Sequence, residues 1–242
     1  MRLYGATDIG TMRNNNQDAF LNTVLSQNAV LSVVCDGMGG ANAGNIASEM
    51  AVNSITEYIK RSFSPDIKSA TAKNLLVSAI ETANTEIFEQ ASSVSDYSGM
   101  GTTAVIALIV GNTAYLAHVG DSRAYLVTDN NVTQLTRDHS IVQTLIEKGH
   151  LTPEEAKFHP KRNVITRAIG TQPMVEIDFD EIKVTDGNLI LCTDGISNVV
   201  QLEDLISLVK NTDIEQIPEA LINLANERDS GDNVTACAIS IN

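Results

Sequence analysis

Five aspartates in this chain stand where short apolar runs meet loops. SVVCDGMGG carries Asp36-Gly37, LILCTDG carries Asp194-Gly195, AYLAHVGDSR carries Gly120-Asp121, and Ser230-Gly231-Asp232-Asn233 precedes VTACAIS. Asp18 closes the polar stretch Arg13-Asn14-Asn15-Asn16-Gln17-Asp18, just before a short predicted strand. A single Asp-Gly pair is ordinary turn chemistry, and Asp186-Gly187 is read as no more than that. Four acids at the mouths of buried strands imply something else, because strands that share one core bring their carboxylates together at one edge. Carboxylates so gathered repel, and some take up a proton unless a cation neutralises them. Oxygen ligands without a Cys-x-x-Cys pair or paired histidines select a hard ion: magnesium, manganese or calcium. A helix-loop-helix calcium loop is not the source, since no Asp-x-Asp-x-Asp-Gly run with a terminal Glu occurs.

Gly37, Gly39 and Gly40 would let backbone approach a ligand closely, and a backbone carbonyl can itself ligate a hard cation. GMGGANAG is not a dinucleotide fingerprint, because its third glycine is out of place and no acid-ended second strand follows at the usual distance. Arg13, ahead of the acids on a polar stretch, suits a bidentate grip on a phosphate.

Short runs rich in Val, Ile and Leu must position these residues. They predict strands over 3–6, 29–35, 103–110, 114–119, 124–127, 175–182, 188–192 and 234–241. Helical spacing joins Ile46, Met50, Ala51, Ile55 and Ile59, and also Leu75, Leu76, Ala79, Ile80, Ala83 and Ile87. Leu202, Leu205, Ile206 and Val209 repeat the pattern, followed by Ile217, Leu221 and Leu224. Helices come in pairs between groups of strands, which disfavours a doubly wound parallel sheet. The expected class is α+β: a central antiparallel β-sandwich flanked by α-helices on both sides. Residues 136–170 differ. They are more polar, hold three of the four histidines, and predict two short helices, the second opening on the capping box Thr152-Pro153-Glu154-Glu155. They read as a surface insertion beside the sandwich.

The remaining composition bounds the function. The 242 residues, without repeat or linker, read as one domain, and 43% hydrophobic content supports a sizeable core. A formal charge of −14 disfavours a nucleic-acid partner. Cys35, Cys192 and Cys237 each sit in an apolar run, as free core thiols of a cytoplasmic protein do. No stretch has the length of a membrane span, and the polar N-terminus does not read as a signal peptide.

Arg13-x-x-Asn16-Gln17-Asp18, Asp36-Gly37-Met38-Gly39-Gly40, Gly101-Thr102-Thr103, Gly120-Asp121-Ser122-Arg123, Thr193-Asp194-Gly195 and Gly231-Asp232-Asn233 together resemble the ordered motifs of the PPM (type 2C) metal-dependent protein phosphatases, in their compact bacterial branch. The resemblance runs from about Asp8 to the C-terminus. It implies hydrolysis of phosphoserine and phosphothreonine in proteins, opposite a Ser/Thr kinase, by a monomer. It implies two manganese or magnesium ions bridged by Asp36, one site completed by the Gly37 carbonyl and the other by Asp194 and Asp232. Asp18 would act through water held there, and Asp121 would help hold a third, weaker ion. Arg13 would bind the substrate phosphate, and 136–170 would be the flap, with His159 a substrate contact. Larger relatives often have His directly after the bridging Asp-Gly, as the proposed general acid. Met38 stands there and cannot donate a proton, which leaves His159 or water. The competing classes are an inactive binding module, disfavoured because every carried-over acid is present, and a nuclease, disfavoured by net acidity.

Overall fold

A computed structural model describes residues 1–241, the side chains of residues 41 and 42 excepted. Its strands are β1 (Arg2–Asp8), β2 (Asp18–Ser26), β3 (Ala29–Met38), β4 (Gly101–Thr102), β5 (Ala104–Val110), β6 (Thr113–Val119), β7 (Arg123–Val127), β8 (Val132–Gln134), β9 (Asp178–Lys183), β10 (Asn188–Cys192) and β11 (Val234–Ser240). One antiparallel sheet runs β1-β11-β10-β7-β8 and the other β2-β3-β5-β6-β9, with β4 paired to β3.

Alternation along the strands builds the layers. Val30 and Val34 of β3, Val105, Ala107 and Ile109 of β5, Leu189 and Leu191 of β10, and Cys237 and Ile239 of β11 fill the space between the sheets. The intervening Leu31, Val33 and Cys35, with Ala104, Ile106 and Leu108, face outward onto α1 (Gly40–Ser62) and α2 (Ser69–Ser93). On the other side Ile190, Cys192, Ala236 and Ala238 meet α5 (Asp194–Ser197), α6 (Leu202–Asn211) and α7 (Ile217–Glu227). Both faces of the central strands are therefore dry, and each buried Leu or Ile contributes roughly 1.5–3 kcal/mol. The result is an α+β sandwich with helices on both outer faces. The three cysteines are buried and free. Among the described residues no helix is long and apolar enough to cross a membrane.

Several strand boundaries differ from the sequence expectation. The strand expected over 175–182 is Asp178–Lys183, its ladder with β6 beginning at the His118–Asp178 pair; Val175 and Ile177 pack on the core without a ladder. The strand after Asp18 is nine residues rather than short. It is a sheet edge whose residues are mostly half-buried, so its apolar pattern is diluted by Asn22 and Thr23.

Residues 136–170, the stretch expected as a flap, contain α3 (Ile141–Glu147) and α4 (Pro153–Ala156). The Thr152 capping box and Pro153 at the first turn start α4. The flap's two stems close on each other through Thr166 N–H to the His139 carbonyl (2.7 Å) and Ile141 N–H to the Val164 carbonyl (2.9 Å). Ile169 and Thr102 exchange backbone bonds of 2.8 and 3.0 Å, which anchors the flap to β4.

Candidate active site

The aspartates come from both sheets. Asp18 opens β2 and stands directly opposite Asp36 in the β2–β3 ladder. Asp36 is not at a strand end, because β3 continues through Gly37 to Met38 against β4. Asp121 follows β6, Asp194 begins α5 just after β10, and Asp232 lies in the loop entering β11. Asp36, Asp121, Asp194 and Asp232 line one cleft of about 660 Å³, together with Arg13, Gly37, Met38 and Asn233. Asp18 is buried and is not among the residues lining it.

Hydroxyls and amides fix these acids. Asp18 Oδ2 accepts from Thr193 Oγ1 (2.8 Å) and Thr235 Oγ1 (2.7 Å). The Asp36 N–H donates to Thr103 Oγ1 at 2.9 Å, and that hydroxyl also bonds Ser122. Asn233 ties the cleft's loops together: its Oδ1 accepts from Gln17 N–H, and its amide donates to the carbonyls of Ile9 and Asn15. Arg13 reaches Asp232 Oδ2 at 2.8 Å, with half of its side chain exposed at the mouth. Thr193, Thr235, Thr103 and Asn233 carry this scaffold. Thr103, Thr193 and Asn233 stand in the motifs that carry the family resemblance, whereas Thr235 looks like an ordinary strand residue in sequence.

The electrostatics are those of an acid cluster short of positive charge. Burial pushes Asp18 up to about 7, with the charges of Asp194 and Asp232 adding to it. Burial and Asp232 raise Asp194 to about 6, and burial, Asp194 and Asp138 raise Asp121 to about 7. Asp36 is driven well above the carboxylate range by burial and then by Asp18, Asp194, Asp121 and Asp232. Asp18 Oδ1 and Asp194 Oδ1 are buried without a hydrogen-bond partner. Buried acceptors of this kind are costly, and a hard divalent cation relieves both the repulsion and the missing partners.

Comparison with known proteins turns this geometry into a family assignment. Residues 11–234 match the Protein phosphatase 2C family. The chain belongs to that family. Protein phosphatase PhpP of Streptococcus pneumoniae is 36% identical over 242 residues, covering 98% of this chain and 96% of that one. The serine/threonine phosphatase Stp1 from Staphylococcus aureus superposes with a TM-score of 0.93 at 36% identity, over 99% of this chain and 94% of that one. The catalytic domain of the serine/threonine phosphatase PstP, solved in complex with two manganese ions, superposes with a TM-score of 0.85 at 31% identity, over 98% and 96%.

Within this protein phosphatase 2C fold the flap gives the cleft Asn163 and Ile165. His159 is not among the residues lining the cleft; its Nδ1 accepts from the Lys161 N–H at 3.1 Å. No histidine lines the cleft among the described residues, so Met38 has no imidazole substitute there. Arg123 locks the flap's first stem, with Nε to Asp138 Oδ1 at 2.9 Å and Nη2 to Oδ2 at 2.6 Å.

A second buried cluster sits at the flap base. His118 stacks on His139 (4.7 Å between rings), and Asp178 stands 3.4 Å from His139 Nε2. Two imidazoles and a carboxylate could ligate a metal, but Arg167 Nη1 lies 2.7 Å from Asp178 and 3.0 Å from His139 Nε2. The guanidinium already takes the cation's place. His139 Nδ1 accepts from the Gly120 N–H at 3.1 Å, and the His139 N–H donates to the Gly120 carbonyl at 2.9 Å. Burial, then His118 and Arg167, lower the His139 pKa. A lowered pKa favours the neutral ring, whose Nδ1 can then accept from Gly120. This pins the residue before Asp121 to the flap. His139→Leu is expected to cost about 2–3 kcal/mol in urea unfolding by orphaning the Gly120 N–H. His139→Asn, which keeps an acceptor near the Nδ1 position, should cost clearly less; equal losses would assign the effect to packing alone.

Proposed function

We propose that this chain hydrolyses phosphoserine and phosphothreonine in proteins with two manganese or magnesium ions held by Asp36, Gly37, Asp194 and Asp232. Asp121 would serve a third ion, and Asp18 would act from behind the cluster. The observation that carries the reading is the convergence of carboxylates from both sheets with two buried, unpartnered oxygens beside a half-exposed arginine. The ions would neutralise the carboxylates, polarise the phosphoryl group and lower the pKa of the attacking water. Thr193 and Thr235 hold one face of Asp18, so its second oxygen is fixed in direction. Asn233 and Thr103 hold the surrounding backbone, so the carboxylates need little reorganisation when charge develops. Arg13 supplies the cleft mouth with a planar guanidinium that grips a phosphate bidentately once Asp232 is otherwise neutralised. Without an imidazole in the cleft, the leaving alkoxide takes its proton from water or a carboxyl group. Opposition to a Ser/Thr kinase in the cytoplasm, with a monomer as the working unit, completes the reading.

The test is turnover of a phosphothreonine peptide across a manganese titration. Activity should appear with manganese, vanish with chelator and return on re-addition; metal-independent turnover would overturn the reading. Arg13→Ala should raise the KM for the peptide about tenfold, a loss of roughly 1.4 kcal/mol of binding, with manganese-induced thermal stabilisation retained.

A further inference from the structure

Past Asp121 and Asp194 the cleft continues into a second cavity of about 680 Å³, between the flap and the start of α6. Val142 and Ile146 of α3 line it, facing Val200 and the half-exposed Leu202. Lys157 and Arg162 stand on its flap wall, and neither is ion-paired among the described residues. The other cation there, Arg123, is taken by Asp138. The flap is also electrostatically unlike the rest of the molecule. Residues 136–170 carry six Lys or Arg against four Asp or Glu, in a chain with 16 against 30.

We propose that this groove receives the stretch of substrate flanking the phosphorylated residue, and that Lys157 and Arg162 select an anionic side chain in that stretch. The inference rests on the phosphatase reading and names the substrate features the same site prefers. The groove's lining also holds Asp121, Asp138, Asp194 and, on the facing wall, Glu203, so Lys157 and Arg162, which have no ion pair among the described residues, are where an anionic peptide can find attraction on an otherwise acidic chain. The apolar lining accepts a neighbouring hydrophobic side chain, and the shared walls at Asp121 and Asp194 make peptide and phosphate sites continuous. Charges on such a rim act on encounter and affinity rather than on chemistry.

The experiment compares phosphothreonine peptides carrying Glu or Lys at each flanking position, with the parent protein and the Lys157→Glu/Arg162→Glu double variant, in manganese. p-Nitrophenyl phosphate, too small to reach the groove, is read alongside as a measure of the chemical step. At one or more positions the parent should favour Glu by about three- to tenfold in kcat/KM, through KM. The double variant should reverse that order while p-nitrophenyl phosphate turnover changes far less. The same Glu/Lys ratio in both proteins overturns the proposal. Turnover of p-nitrophenyl phosphate with no phosphopeptide hydrolysed by the parent removes the protein-phosphatase reading itself, and the groove proposal with it. If the double variant loses p-nitrophenyl phosphate turnover, Arg162→Gln is read instead; an unchanged ratio there also overturns the proposal.

Discussion

Asp36→Asn should give a protein that is more stable than the parent without metal and about a thousandfold slower with it. Asp36 faces Asp18 directly across the ladder, and a like-charge pair so placed opposes folding. Its carboxyl also meets the charges of Asp194, Asp121 and Asp232. Asparagine keeps the shape, removes one charge, and leaves the backbone bonds to Thr102 and Thr103 in place. In chelator at pH 8 the gain should be on the order of 2 kcal/mol, or roughly 4–8 °C in Tm for a chain of this size. With manganese the order reverses. The parent should gain stability from the ions and the variant little, and phosphopeptide turnover should fall by about three orders of magnitude, comparable to losing a main electrostatic stabiliser of a transition state. A variant that is less stable in chelator, or that turns over at near-parent rates, would remove Asp36 from its proposed place.

The same cluster sets the pH dependence of the metal-free protein. Asp18 and Asp121 titrate at about 7 and Asp194 at about 6 in the folded state, against a carboxylate value near 4 unfolded. Between pH 4 and 7 the folded state therefore binds more protons than the unfolded chain. The stability these groups contribute is fully present below about pH 4 and is lost as pH rises through 6–7. Manganese competes with those protons, so its effect on Tm should be larger at pH 8 than at pH 5.5. Asp36→Asn should flatten both trends.

How much of this was legible depended on whether a residue's role was local. The central strands β3, β5, β10 and β11 were readable because both of their faces are buried and leave long Val, Ile and Leu runs. The edge strand β2 was underestimated because only part of it is buried, and β4 and β8 are too short to leave a pattern. The aspartates stood out as acids inside apolar contexts. Their mutual placement did not: the Asp18–Asp36 opposition needs the register of β2 on β3, and the hydroxyls on Asp18 come from positions 175 and 217 residues away. The family resemblance made His159 a substrate contact, but where the stems close is set by long-range pairing, and from this stretch the cleft is lined by Asn163 and Ile165. His139 passed as one more polar flap residue, since nothing local shows that its ring caps Gly120.

The glycines after the aspartates carry the other large effect, and here the turn and ligand-approach readings were both incomplete. A Cβ built on Gly37 would lie 2.0 Å from the Gly44 carbonyl oxygen on α1 and 2.7 Å from the Gln17 carbonyl oxygen. A Cβ on Gly195 would lie 2.0 Å from the Asn233 carbonyl oxygen. All three obstacles are backbone, so no side chain can rotate away. Gly37 is thus where β3, the start of α1 and the Arg13–Asp18 stretch come into contact, and its N–H bonds the Gln17 carbonyl at 3.0 Å. Gly37→Ala should force these segments apart and cost about 3 kcal/mol or more, measured by urea unfolding in chelator so that metal binding does not enter. Gly111 provides the contrast: its φ is +56° and a Cβ there meets nothing within 4 Å, so alanine should cost only the roughly 1–2 kcal/mol of left-handed backbone. If Gly37→Ala unfolds at the parent's midpoint, the close approach of backbones is not what this position requires. If it unfolds far earlier than Gly111→Ala, the glycine is there to let the segments carrying Asp18 and Asp36 pack against α1, whatever else its carbonyl does.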